Sequence, residues 1–250
     1  MKKLFLFGVT LAVLSLALPT VTGGEAIFTP EIFSLKDGRV YRGETALDCV
    51  VHEVPDSIDG PIRYWSAFGH DTSDEVKENE TGVWFFTGDG SFLTFITLDS
   101  EYEYQGLLLS PNGDRLVLVR GGMRADVFFD VYGEGMEKQA ELSGFRGEIA
   151  WVDSARFVFT RIDDIREDML AITRYAFKCS VIMYDAAEKK EIVLKEASDT
   201  QGFAFIATSE DGESVVISET SVESPKDWQD WENEEKIKEK EISVPIPAAG

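Results

Sequence analysis

One unit recurs along this chain, and it limits the fold more than any other feature. Gly106–Gly121 (GLLLSPNGDRLVLVRG) reads as an apolar strand, a Ser-Pro-Asn-Gly-Asp turn and a second strand. Gly147–Arg161 (GEIAWVDSARFVFTR) repeats that plan around Val152–Ala155, and Gly202–Ser218 (GFAFIATSEDGESVVIS) repeats it around Ser209–Gly212. Short β-branched and aromatic runs bounded by Gly, Asp, Asn and Ser are the signature of strands joined by tight turns. Two copies are followed by a further two-strand unit: 127–132 (VFFDVY) with 138–142 (KQAEL), then 180–185 (SVIMYD) with 191–195 (EIVLK). The copies start 41 and then 55 residues apart, and the surplus matches an insertion between Thr160 and Phe177. A period of about 40–50 residues carrying four strands is that of a β-propeller blade, so the expected fold is all-β with four-stranded antiparallel blades.

Extended backwards, the pattern makes Ala46–Glu53, Ile62–Phe68, Gly82–Phe86 and Phe92–Leu98 the strands of an earlier blade. Extended forwards, it gives the last blade a third strand over Lys236–Pro247 and no fourth. The blades then fall near 45–103, 104–144, 145–199 and 200–250 of a single domain spanning 24–250. Propellers often complete the last blade with a strand from the other terminus, and residues 27–35 (IFTPEIFSL) are placed to do so. Two alternatives stand beside this ring of about four blades. A hairpin at Lys36–Arg39 seeds a fifth blade, or an incomplete ring dimerises.

The turn Leu109–Val117 (LSPNGDRLV) resembles the Ser-Pro-Asp-Gly-Lys hairpin of TolB-like, WD40-like propeller repeats, and Val181–Asp185 (VIMYD) resembles their third strand ending in Tyr-Asp. The likeness covers roughly residues 82 to 220 and implies a propeller. It implies little about activity, because such propellers serve as scaffolds and enzyme-associated domains alike.

In a four-stranded antiparallel blade, the first–second and third–fourth connections share one end, and the second–third connections lie at the other. The first set is short here. The second set is long in three of four blades, at Gly69–Thr81, Arg161–Ala176 and Glu219–Glu235, so binding is expected at that end. Its candidate residues are His70, Asp71, Arg161, Asp163, Asp164, Trp228 and Trp231. Ser224 as N-cap and Pro225 at the first helical position predict a short helix that sets Trp228 and Trp231 on one side, either as a platform or as pins to the blade. Asp163, Asp164 and Asp168 offer hard oxygens to a cation, but a self-neutralising network with Arg161 and Arg166 fits the sequence better, and no metal or other cofactor is expected. His70 lacks an identifiable catalytic partner, and His52 reads as a structural residue on an inner strand.

Met1-Lys2-Lys3, the 15-residue apolar run Leu4–Leu18, Pro19 and small residues around Gly23–Ala26 have the layout of a secretory signal, predicted over 1–23. No later apolar run is long enough to cross a membrane as a helix, so secretion or a periplasmic location is expected, without membrane insertion. An oxidising compartment permits a Cys49–Cys179 disulfide, while two small buried hydrophobes remain the alternative. The formal charge of -22 becomes -24 without the leader and argues against nucleic acid or an anionic bilayer as partner. Five acids in Asp71–Glu80 and five in Asp227–Glu235 lie at the long-loop end, so a partner there should be basic and its binding salt-sensitive. A Gly-x-Ser-x-Gly elbow, His-Glu-x-x-His, a phosphate loop and a dinucleotide fingerprint are all missing from the sequence. The expected function is binding of a protein, peptide or cell-envelope component without catalysis; the alternative is a carbohydrate-active hydrolase or lyase using acids at the same end.

Overall fold

The computed structural model describes residues 33–68, 82–98, 103–121, 126–165, 177–226, 228–231, 233 and 235–248. Its strands form five antiparallel sheets, each built from strands consecutive in sequence and paired in chain order. Sheet 1 holds β1 (Phe33–Lys36), β2 (Arg39–Arg42) and β3 (Thr45–Ala46); sheet 2 holds β4 (His52–Glu53), β5 (Tyr64–Phe68), β6 (Gly82–Phe86) and β7 (Phe92–Thr97). Sheet 3 holds β8 (Glu103–Leu109), β9 (Leu116–Gly121), β10 (Asp126–Tyr132) and β11 (Lys138–Phe145). Sheet 4 holds β12 (Ala150–Trp151), β13 (Arg156–Ile165), β14 (Phe177–Asp185) and β15 (Lys190–Lys195), and sheet 5 holds β16 (Gln201–Thr208), β17 (Ser214–Val222) and β18 (Ile237–Pro245).

Strand alternation sends successive side chains to opposite faces, and here both faces of the middle strands are apolar. Val83 and Phe85 of β6 join Leu116 and Leu118 of β9 in the core between sheets 2 and 3, while Trp84 and Phe86 join Phe33, Leu35 and Val40 between sheets 1 and 2. Phe129 and Val131 meet Phe157, Phe159 and Ile182 between sheets 3 and 4, and Val181 and Met183 meet Phe205, Val215 and Ile217 between sheets 4 and 5. Four cores therefore join the five sheets in series. Among the described residues no core cluster joins sheet 5 to sheet 1, and no closed ring is present.

The chain start departs from the expected closure. Residues 33–35, expected in a strand completing the last sheet, instead form β1 and pair with β2, because Asp37 (φ 50) and Gly38 (φ 71) make the two-residue left-handed turn that a tight hairpin needs. The Lys36–Arg39 hairpin thus seeds a fifth sheet, as the alternative had it, and residues 27–32 lie outside the described residues. The strand expected over Ala46–Glu53 is also divided. Ala46 pairs with Tyr41 in sheet 1, His52 pairs with Trp65 in sheet 2, and Leu47, Cys49 and Val51 pack into the core between those sheets. Cys179 belongs to β14, two sheets away, and both cysteines are thiols in the structure.

Neighbouring sheets are also tied at the short-turn end. Asp59 donates its N–H to the Pro111 carbonyl, the Arg115 guanidinium donates to Ser154 O at 3.2 Å, and Arg156 donates to Pro247 O at 2.6 Å. Gly113 sits so close to sheet 2 that a Cβ there would meet Asp59 O at 2.0 Å, with φ at +65°. Gly38 has the same backbone requirement at +71° but open space around it. Gly38→Ala should therefore cost about 1 kcal/mol, and Gly113→Ala about 3 kcal/mol or more, in urea unfolding. Equal losses would show that the approach of sheets 2 and 3 at this turn is not tight.

Candidate functional site

Consecutive antiparallel order fixes which connections share an end. The β5–β6, β9–β10, β13–β14 and β17–β18 connections emerge together, opposite the short turns just described. Three of the four are long, at 69–81, 166–176 and 223–236. At this end sheets 3 and 4 each carry a charged network that spans the sheet.

In sheet 3, Arg120 is the penultimate residue of β9 and Asp130 lies on the neighbouring β10; both side chains are 6% exposed. Arg120 Nε donates to Asp130 Oδ2 at 2.6 Å and Nη2 to Oδ1 at 2.9 Å, a two-point pairing that satisfies both buried groups. Nη2 also reaches Glu141 on β11 at 2.9 Å. Lys138 bridges the two acids, 2.8 Å from Asp130 and 2.7 Å from Glu141. Arg120 further lies over the Phe128 ring, 5.5 Å from its centroid. Burial opposes the Lys138 charge, but the hydrogen bonds it donates to Asp130 and Glu141 outweigh it and hold its pKa above the ordinary value. Tyr132, on the same face of β10, is pushed up to about 12 by burial and then by Asp130 and Glu141, against the opposing pull of Arg120.

Sheet 4 repeats the arrangement. Arg161 of β13 pairs with Asp163 at 2.7 Å and reaches across β14 to Glu191 of β15 at 2.5 Å. Asp163 also accepts from the buried Ser180 hydroxyl, whose oxygen in turn accepts the Ala197 N–H at 2.7 Å. Burial works against the Arg161 charge, and Asp163 and Glu191 more than offset it, raising its pKa. The 41-residue period carries these arginines. RLVLVR (115–120) and RFVFTR (156–161) each begin with an arginine tying one sheet to its neighbour and end with one reaching an acid on the outermost strand.

The candidate residues read from the sequence fall into three groups. His70 and Asp71 lie outside the described residues. Arg161 and Asp163 form the paired network just described, whereas Asp164 sits opposite Lys178 in the register. The segment from Arg161 was expected to be loop; it is strand as far as Ile165, and a bulge between Ile162 and Asp164 leaves Asp163 as the extra residue. The short helix exists as a single 3₁₀ turn, Trp228–Trp231, but it begins four residues after Ser224, whose φ of 53° is not that of an N-cap. Trp231 is only 3% exposed, so its indole anchors the connection rather than offering a ring to a ligand. Asp230 holds that connection by accepting the Lys226 N–H at 2.8 Å and pairing with Lys236, contacts that lower its pKa. His52 is exposed, not enclosed, and stacks on Trp65 with centroids 4.0 Å apart.

Asp130, Lys138 and Glu141 were not singled out by the sequence reading. The available signal was the arginine closing two successive repeats, which demands an acid wherever its strand end is covered. Among the described residues no group of three His, Cys, Asp or Glu side chains is placed to hold a metal ion.

Removing Asp130 takes the two-point acid partner from the buried Arg120. Asp130→Asn should cost about 3–5 kcal/mol, and Arg120→Met with Asp130→Leu should recover most of that loss in chemical denaturation. Tyr132 supplies an alkaline test. Its folded pKa of about 12 lies above the unfolded 10, so its contribution is complete below pH 10 and lost between pH 10 and 12. That loss amounts to about 2–3 kcal/mol and should vanish in Tyr132→Phe; an unchanged alkaline slope in the variant would refute the assignment.

No family model and no curated protein matches this chain. Among solved structures, a post-proline cleaving enzyme from Rickettsia typhi is similar at 12% identity and a TM-score of 0.39, covering 87% of this chain and 32% of that one. The chain thus spans about a third of that enzyme's length.

Proposed function

We propose that this protein is an exported, non-catalytic β-propeller of the TolB-like kind, with the five sheets as its blades, that binds a basic protein, peptide or cell-envelope component at its long-connection end. The observation that carries the reading is the asymmetry of the connections. Three long segments emerge at one end of a rigid sheet stack, and two contain the acidic runs Asp71–Glu80 and Asp227–Glu235. Variable connections on a fixed scaffold are where binding surfaces are built. The arginines nearby do not cancel those acids, because Arg120 and Arg161 are occupied by Asp130, Glu141, Asp163 and Glu191. Apart from Asp230, which pairs with Lys236, the acids of these two runs are the charge on which a basic partner would draw.

Affinity capture from an envelope fraction tests this. A variant with Asp71, Asp74, Glu75, Glu232, Glu234 and Glu235 changed to Asn or Gln should lose the partner, and wild-type capture should fall about tenfold or more between low and physiological salt. Recovery of the same partner by the neutralised variant, or capture indifferent to salt, would remove the long-connection end as the binding surface.

A further inference from the structure

The series of sheets ends on two faces of opposite charge. On sheet 1, Phe33, Leu35 and Val40 point into the core against sheet 2, so alternation sends Ser34, Lys36, Arg39 and Tyr41 to the other face. Lys36 and Arg39 are directly opposed in the hairpin, and both are exposed. The strand residues of this face hold two bases and no acid, in a chain whose net charge is -22. On sheet 5, Val215, Ile217, Ile242 and Val244 point into the core against sheet 4. The opposite face therefore carries Val216 and Ser218 from β17 with Glu239, Glu241 and Ser243 from β18, and both glutamates are exposed.

We infer that this protein self-associates by docking the Lys36/Arg39 face of sheet 1 on the Glu239/Glu241 face of sheet 5 of a second copy. Three observations favour this occupant and this mode. Both are end faces of the sheet series, and among the described residues no core seals them against each other within one chain. Their charges are complementary: two glutamates separated by about 7 Å along one strand face a cation pair about 5 Å apart across a hairpin. The same contact can form twice in a pair of copies, each giving sheet 1 to the other's sheet 5, which leaves no end face unused.

Edge pairing, the usual route by which a three-stranded sheet gains a partner, is opposed by the sequence of β18. Lys238 and Lys240 share one face of this edge strand, and Glu239 and Glu241 share the other. A twofold antiparallel pairing of two β18 strands keeps like faces together and opposes residues of the same parity. Lysine then meets lysine and glutamate meets glutamate, which is destabilising. The alternating charges leave the face, rather than the edge, as the self-docking surface.

Sedimentation velocity of the purified protein tests the inference, with far-UV circular dichroism and thermal melts checking that each variant is folded. Wild type should run as a multiple of the chain mass at low salt (about 0.03 M) and dissociate towards monomer at high salt (about 0.5 M). Glu239→Lys with Glu241→Lys should weaken association about tenfold or more, and adding Lys36→Glu with Arg39→Glu should restore it. A monomer under all conditions overturns the inference, as does association unaffected by the glutamate reversals or not restored by the swap. A monomer that is destabilised by the reversals and rescued by the swap assigns the contact to the two ends of one chain, and also overturns it.

Discussion

Burial of the middle strands on both faces is the constraint on which the rest of this structure depends. Val83 and Phe85 point one way from β6 and Trp84 and Phe86 the other, and every one of them is enclosed. The same division recurs in β14, where Ile182 and Tyr184 serve the core with sheet 3 while Val181 and Met183 serve the core with sheet 5. Fully burying a side chain of this size contributes about 1.5–3 kcal/mol, and a sheet with two such faces holds only if it has a neighbour on each side. Sheets 2, 3 and 4 have both neighbours. Among the described residues sheets 1 and 5 have one each, and they are the sheets whose outer faces turn polar and oppositely charged.

The polar groups follow from the same constraint. When both faces of a strand are covered, an arginine at its end is largely withdrawn from water and is best satisfied by an acid within the sheet. Arg120 meets Asp130 and Glu141, and Arg161 meets Asp163 and Glu191. In sheet 5 the equivalent position holds Glu219, and the pairing reverses sign, with Lys240 at 3.2 Å. These networks occupy Arg120, Lys138, Arg161 and Lys240 with acids of their own sheets.

Much of the architecture was legible because it rests on local rules. Gly, Asp and Ser turns mark the hairpins, and the apolar runs within Leu116–Gly121 and Phe177–Asp185 stand between them in the sequence as written. The first residues of the insertion expected between Thr160 and Phe177 extend β13 to Ile165 through a bulge at Asp163, which no periodicity announces. The division of Ala46–Glu53 between two sheets was equally hidden, since no Gly or Pro within the run marks where the strand changes partners. Trp231 illustrates the limit for the site. Its spacing from Trp228 fits a platform or a pin, and only its enclosure distinguishes them.

By itself the sequence determined the all-β class, the positions of the tight turns, the repeat of about four strands and the acidic excess, because each arises from neighbouring residues or from a sum over the chain. Tertiary structure decided which strands share a sheet, that residues 33–36 belong to their own hairpin, and which acids each arginine meets. Those outcomes depend on contacts between residues far apart in the chain, such as Arg161 with Glu191 or Arg156 with Pro247. Local propensity carries no information about such pairs; they are selected by which apolar faces must be covered and which buried charges must be neutralised once the sheets have stacked.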